Sequence, residues 1–293
     1  MTISDLTKII DFSKTVLGKD GIYHLLNVDN VDDMKSRDSV KVWGSIYNYS
    51  FSDLTNSLKE FEEEKLQSHM FYLDQAYKFS ADTVYLEIGC GPSFVGNHIV
   101  SKYKCSFVGI DINYPMLQVL KEYFDSNGVK NYILIHGDIR SIPLLSNTVD
   151  FIYGGGVIEH LPDTGEVVRE SYRILKRGGV SLNTVPAFTF WWILNSFRNI
   201  PSLPILKKIF EYVHLKLLKS VVLNKFFGYE LSFTPKFLRN LHANSGFSEI
   251  KVTPFVIPPT SKKLKNKILR RIYMYLQRNK YTTALYLVSG VKK

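Results

Sequence analysis

The chain has 293 residues, of which 45% are hydrophobic and 14% aromatic, with a formal net charge of +10. That composition can bury one large core, and it contains neither internal repeats nor a low-complexity tract. No apolar run reaches the roughly 18–20 residues needed to span a bilayer, the longest candidate lying around Phe188 to Leu194, and Met1-Thr-Ile-Ser-Asp-Leu-Thr-Lys lacks the pattern of a secretion signal.

The two cysteines, Cys90 and Cys105, fall in predicted core segments without metal-ligand spacing. A reduced, cytoplasmic setting is therefore expected and a metal site is not. The charge is unevenly distributed. Residues 187–293 hold 19 Lys/Arg against 3 Asp/Glu, whereas residues 1–80 and 81–186 are both slightly acidic. A basic C-terminal third favours anionic partners: lipid headgroups, phosphorylated substrates or nucleic acid.

In chain order, residues 1–80 predict a helical cap. Leu54, Leu58, Phe61 and Leu66 recur at roughly helical spacing, with Glu62-Glu-Glu64 on the wet side. The cap either packs passively on the main domain or closes Trp43, Tyr47, Tyr49 and Phe51 over a ligand. From residue 82 strands alternate with helices, the pattern of a parallel sheet covered on both faces. Strands are predicted near 83–88, 106–111, 131–136, 149–154 and 180–185, and helices near 94–103, 114–126 and 163–176. Pro115 sits in the first turn of the second helix. Lys176-Arg-Gly-Gly179 reads as the end of the third, with cations at its negative pole and glycine to turn the chain.

The segment Val84-Tyr-Leu-Glu-Ile-Gly-Cys-Gly-Pro-Ser93 is a buried strand running through glycines into a helix start. Such a turn lets a ligand approach the backbone against unpaired N–H groups. Twenty-four residues on, Phe107-Val-Gly-Ile-Asp111 is a second strand ending in a carboxylate. An α/β nucleotide fold places an acid at about that distance, on the ribose hydroxyls.

Five motifs then follow one another: Glu87-Ile-Gly-Cys-Gly-Pro, Gly109-Ile-Asp111, Gly137-Asp-Ile-Arg-Ser-Ile-Pro143, Val149-Asp-Phe-Ile leading to Val157-Ile-Glu-His-Leu-Pro162, and Leu175-Lys-Arg-Gly-Gly179. In these the chain resembles the Rossmann-like S-adenosylmethionine-dependent methyltransferases, in particular the group that includes ubiquinone/menaquinone-pathway and small-molecule enzymes. The resemblance covers about residues 82–186, and more loosely 231–255 and 281–290. It implies an α/β, doubly wound sheet of about seven strands with the last antiparallel. It also implies S-adenosyl-L-methionine as cofactor and methyl transfer to an O, N or C atom of a small acceptor. By the same resemblance Glu87, Gly89, Cys90 and Gly91 line the methionine end, and Asp111 accepts from both ribose hydroxyls. Ile112 packs on the adenine, Asp138 and the Ile139 backbone meet its amino edge, and the Gly154 carbonyl faces the ammonium. Ser93 stands where many relatives have a third glycine, and it can serve there as a helix cap.

His160 has two readings, a structural hydrogen-bonding residue or a general base beside the acceptor, for which an imidazole's ordinary pKa is suited. Residues 187–230 form a helical insertion the core fold does not require, beginning Phe188-Thr-Phe-Trp-Trp-Ile-Leu194. In it Leu206, Ile209, Phe210, Val213, Leu217 and Val221 share a helical face. Residues 261–280 predict a basic helix, with Lys262, Lys263, Lys265, Lys267, Arg270, Arg271, Arg278 and Lys280 around a stripe of Leu264, Ile268, Ile272 and Leu276. These helices are solvated, or lie on an anionic membrane surface, or bind nucleic acid, for which no recognisable module is present. Thr234-Pro235 opens a helix that Gly246 closes, a strand follows near 248–256, and Tyr281 to Val288 is the last strand. The acceptor expected is amphipathic, lipid-linked or a saccharide; the alternatives are a non-catalytic cofactor-binding subunit and an RNA methyltransferase.

Overall fold

The computed structural model describes residues 3–26, 41–61, 63–194, 199–219, 228–259 and 266–293. Its centre is a parallel sheet of β3 (Val84–Ile88), β4 (Ser106–Asp111), β5 (Tyr132–His136), β6 (Val149–Gly155) and β7 (Leu175–Pro186). Every residue of β3 is buried, as a strand covered on both faces requires. Its alternate side chains feed two cores. Leu86 and Ile88 join Val108, Ile110 and Ile152 on one face. On the other the Tyr85 ring stacks between Phe107 and Phe151, with centroids 5.9 and 6.0 Å away.

Helices Phe94–Tyr103 and Tyr114–Ser126 cover the Tyr85 face through Val95, Ile99, Met116 and Leu120. Helices Thr164–Ile174 and Pro235–Asn244 cover the other through Val167, Val168 and Leu238. The sheet is thus doubly wound. The predicted helices at 94–103 and 114–126 and the first four strands lie within a residue or two of their expected bounds.

Two further strands complete the far edge. β10 (Ser248–Pro254) pairs antiparallel with β11 (Leu285–Val291), and β11 pairs antiparallel with β7. The last strand therefore begins four residues later than the apolar pattern suggested. Lys176-Arg-Gly-Gly179 is not a helix cap. The helix stops at Ile174, and this tetrapeptide is an irregularity in β7, where Leu175 pairs with Val149 but Val180 with Phe151. Gly178 takes φ +79° there, and its N–H donates to the Lys292 carbonyl. A glycine that ends a helix and one that lets a strand bulge look alike in sequence, because both supply a positive φ.

Among the described residues the sheet has nine strands, two more than the seven expected; with β1 (Thr15–Leu17) and β2 (Tyr23–Leu25) the order is β1-β2-β5-β4-β3-β6-β7-β11-β10. The additions come from the N-terminal region, where β1 and β2 form a hairpin whose second strand pairs parallel with β5. Residues 1–80 are therefore not purely helical: helices Phe51–Glu60 and Glu63–Ala76 follow a hairpin that extends the sheet. The insertion contributes helix Pro204–Glu211 and β8 (Ile200–Pro201), which pairs parallel with β9 (Leu231–Ser232) just after it. Val221 and the predicted basic residues Lys262, Lys263 and Lys265 lie outside the described residues. Strand order reverses at β3, between β4 and β6, so a crevice opens beyond the C-terminal ends of these strands, the place where α/β sheets bind ligands.

Candidate active site at the strand ends

β4 ends in Asp111, whose two carboxylate oxygens are each held by one main-chain donor. The Gly91 N–H gives to Oδ2 at 2.7 Å and the Asn113 N–H to Oδ1 at 2.8 Å. Burial raises the Asp111 pKa and these N–H groups oppose it. A carboxylate has about four lone-pair sites, so beyond these two bonds and a weaker approach of the Ile112 N–H it keeps capacity for a further donor. A vicinal diol satisfies that arrangement.

Beside it, Asn113 caps the following helix by accepting from the Met116 N–H, which leaves its buried Nδ2 donor without a partner. Asn113 was not singled out in the sequence, where Asn-Tyr-Pro signals only a cap. Its orphaned amide hydrogens in the cavity wall invite an acceptor atom from a ligand.

The β3 loop differs from expectation in its hydrogen bonding. The Cys90 N–H donates to the Ile110 carbonyl, the Gly91 N–H to Asp111, and the Ser93 N–H to the Cys90 carbonyl. The amides are therefore spent on holding the loop shut rather than left for a ligand. Gly89 and Gly91 both have positive φ, at +56° and +43°. Gly89 lies in the cavity wall, whereas Cys90 points into the Tyr85-side core.

Glu87 is likewise beneath the loop and not on the cavity wall. Its Oε2 accepts from the Ser93 hydroxyl at 2.6 Å, and burial pushes its pKa up to about 8. It is a protonated pin that holds the helix start. Ser93 correspondingly makes no capping bond. It sits in the left-handed region at φ 50°, the conformation the absent third glycine would take most easily, and spends its hydroxyl on Glu87.

The cavity encloses about 900 Å³ free of atoms, counting the part open to solvent. Ile112 and Ile139 form apolar walls at one end. Gly155, Gly156 and Val157 form the wall after β6, one residue beyond Gly154, which packs instead against the Asn183 side chain. The run Gly154-Gly-Gly156 was the available signal for this wall. Trp43 and Tyr47 roof the cavity from the N-terminal region, stacked at 5.5 Å, with Trp43 edge-on to His160 at 5.0 Å.

Asp138 lines the same end as Ile139, but its carboxylate is already engaged. The Arg140 guanidinium clamps it through Nε and Nη, and the Arg140 N–H adds a third donor at 2.8 Å. Residues 139–141 make a turn and bend, and Leu144 bridges to Ile10.

His160 is buried on a short 3-10 turn, Ile158–His160. Its Nδ1 lies 2.8 Å from the Tyr229 carbonyl, which can only accept, so Nδ1 carries the proton and Nε2 the lone pair. Burial pushes its pKa down to about 4, so the ring is neutral near pH 7. Glu159, next to it, is held protonated by burial and by the neighbouring Glu230.

Residues 86–182 match a family model described as a methyltransferase domain. Over 71 residues the chain is 35% identical to the demethylmenaquinone methyltransferase of Anoxybacillus flavithermus, covering 24% of this chain and 30% of that protein. Over 140 residues it is 25% identical to the sterol 24-C-methyltransferase of Schizosaccharomyces pombe, covering 46% of this chain and 37% of that one. The matched stretches thus span about a third of these relatives' length. Among solved structures, the geranyl diphosphate C-methyltransferase of Streptomyces coelicolor A3(2), in complex with S-adenosyl-L-homocysteine, superposes with a TM-score of 0.56. That likeness, at 12% identity and over 78% of both chains, is one of fold. With the sheet order and the matched domain in agreement, residues 86–182 form a methyltransferase domain on a Rossmann-like, doubly wound sheet.

Proposed function

We propose that this protein transfers the methyl group of S-adenosyl-L-methionine to a small, amphipathic acceptor that enters beneath Trp43 and Tyr47. One observation carries the donor half. Asp111 keeps acceptor capacity on the cavity wall beside the unpaired Asn113 amide. S-adenosylmethionine, when bound, supplies a methyl group already activated on a sulfonium centre.

The chain's own residues have three tasks. Asp111 holds the ribose hydroxyls and Asn113 Nδ2 donates to an acceptor atom nearby. Because Arg140 occupies the Asp138 carboxylate, Ile112 and Ile139 grip the base by contact rather than by charge. Trp43 and Tyr47 exclude water, which competes with the acceptor for the methyl group and weakens every polar interaction in the site. No strong base is needed if the nucleophile is only oriented. Neutral His160, with its proton fixed on Nδ1, offers Nε2 as a hydrogen-bond acceptor for an O–H or N–H. Gly89 remains the backbone position on the cavity wall proposed to face the methionine end, with Gly91 and Gly154 adjoining that wall.

The apolar surroundings of His160, formed by Trp43, Val157 and Leu161, support an acceptor with substantial hydrocarbon. Two of the relatives above are named for a sterol and a demethylmenaquinone, both largely apolar molecules. The test is calorimetric titration of S-adenosylmethionine into wild type and Asp111→Asn, followed by turnover to S-adenosylhomocysteine with quinol, sterol and sugar-lipid acceptors. Losing charge-assisted bonds of this kind weakens binding by about tenfold to a hundredfold. Equal affinity in both proteins refutes the donor site, and turnover only with fully water-soluble acceptors refutes the acceptor class.

A further inference from the structure

Helix Lys267–Gln277 turns Arg270, Tyr273, Met274 and Gln277 toward the protein and leaves much of its apolar stripe exposed. Gln277 is buried and its side-chain Oε1 accepts from the Ala284 N–H at 2.8 Å, while Tyr273 meets Trp191 edge-on at 5.9 Å. Its apolar side faces outward, with Ile268 68%, Ile272 50% and Tyr275 74% exposed. An ordinary surface helix buries that stripe. Asn266 caps the helix through the N–H groups of Ile268 and Leu269, so the orientation belongs to a well-formed element.

Further apolar side chains are exposed on other elements of the C-terminal third. Phe190 is exposed, and its N–H donates to the carbonyl of the equally exposed Tyr281. Trp192 packs on Phe210 at 5.4 Å, which joins helix Pro204–Glu211, where Ile205 and Ile209 also point outward. Cations border this surface. Lys267, Arg271 and Arg278 are exposed on the helix and at its end. A cleft of about 1020 Å³, counting open solvent, is lined by Lys236, Arg239 and Lys280 and by no acidic residue. No Asp or Glu follows Glu249 in the chain.

We infer that this surface docks on an anionic lipid bilayer, with Ile268, Ile272 and Tyr275 entering the headgroup–acyl boundary and the surrounding Lys and Arg meeting lipid phosphates. The chemistry selects that partner. An apolar strip ringed by cations needs an apolar counterpart with an anionic border, which a bilayer of acidic lipids presents. A second copy of this chain would set Lys267, Arg271 and Arg278 against their own kind across a two-fold interface. A nucleic acid would satisfy the cations and leave the aliphatic side chains in water. The inference stands apart from the methyl-transfer reading, since none of these residues lines the cofactor cavity.

The test is sedimentation of the full chain with vesicles of phosphatidylcholine alone and of phosphatidylcholine mixed with phosphatidylglycerol, at low and high salt. Wild type should sediment with the anionic vesicles and be released by salt. Each cation lost near the surface weakens partitioning about fivefold, so the reversal Arg271→Glu should cost about twenty-five-fold. The double variant Ile272→Asp, Tyr275→Asp should abolish sedimentation. Both variants should keep wild-type melting temperature and calorimetric affinity for S-adenosylmethionine, which separates this surface from the active site. Failure of the wild type to bind anionic vesicles at low salt overturns the inference. So does binding that ignores lipid charge or survives in the double variant, and so does a dimer, by light scattering, that the same substitutions dissolve while vesicle binding is absent.

Discussion

Glu87 is the residue whose chemistry departs furthest from its position in the motif. A strand-end acid beside a glycine loop suggests a ligand contact, yet this carboxyl is buried and accepts from Ser93 beneath the loop. Burial is the first cause of its raised pKa, the nearby Asp111 charge adds to it, and the bonds from Ser93 and the Gly96 N–H oppose it. A carboxyl raised from its ordinary 4.5 to about 8 contributes stability that is complete below pH 4.5 and is lost as pH rises through about 8. Glu87→Gln keeps the acceptor and removes the titration. Between about pH 5 and about pH 9 the melting temperature of wild type should therefore fall more steeply than that of the variant. Parallel curves would mean that Glu87 is ionised in the fold. His160 illustrates the opposite shift: burial lowers its pKa to about 4, which makes it a fixed acceptor near neutrality rather than a titrating base.

At the scale of elements, the start of helix Phe94–Tyr103 is set by how closely three side chains meet its backbone. A Cβ on Gly96 would lie 2.2 Å from Glu87 Oε2, 2.3 Å from Ser93 Oγ and 2.6 Å from the Phe107 ring. Gly96→Ala should cost about 1–3 kcal/mol by overpacking. It should also displace the Glu87–Ser93 pin and with it the Gly91 N–H that holds Asp111. Thermal melts and donor calorimetry check both effects. A variant that loses stability but keeps full donor affinity would separate the helix start from the ligand loop. The helix period made this element legible, because Val95, Ile99 and Val100 form its buried stripe. The same period was misleading for Lys267–Gln277. Its apolar stripe was visible, but which way a stripe faces depends on what surrounds it.

At the scale of the whole molecule, the N-terminal hairpin turns the edge of a seven-stranded sheet into an interior position. β2 covers β5, with Tyr23 paired to Ile135 and His24 to His136, and Ile22 and Leu6 are fully buried. Deleting residues 1–26 should lower the melting temperature by about 10 °C, from the burial lost. The exposed β5 edge should then promote self-association, detectable by light scattering. A truncated chain that melts like wild type and stays monomeric would show the hairpin to be an ornament.

The sequence by itself determined the central sheet, its flanking helices and the place of Asp111 at the end of β4. Those features are written in continuous buried runs, helical periods and glycine–acid spacings that lie within a few tens of residues of one another. Only the tertiary structure decided the rest: three-residue strands too short to show a period, Trp43 and Tyr47 brought over a cavity whose other walls lie at residues 89–161, Arg140 folded back on Asp138, and Glu87 set beneath the loop against Ser93. Each of these depends on which atoms surround a side chain after folding. A hydrogen-bond partner or a burial energy is a property of that neighbourhood, not of the residue that enters it.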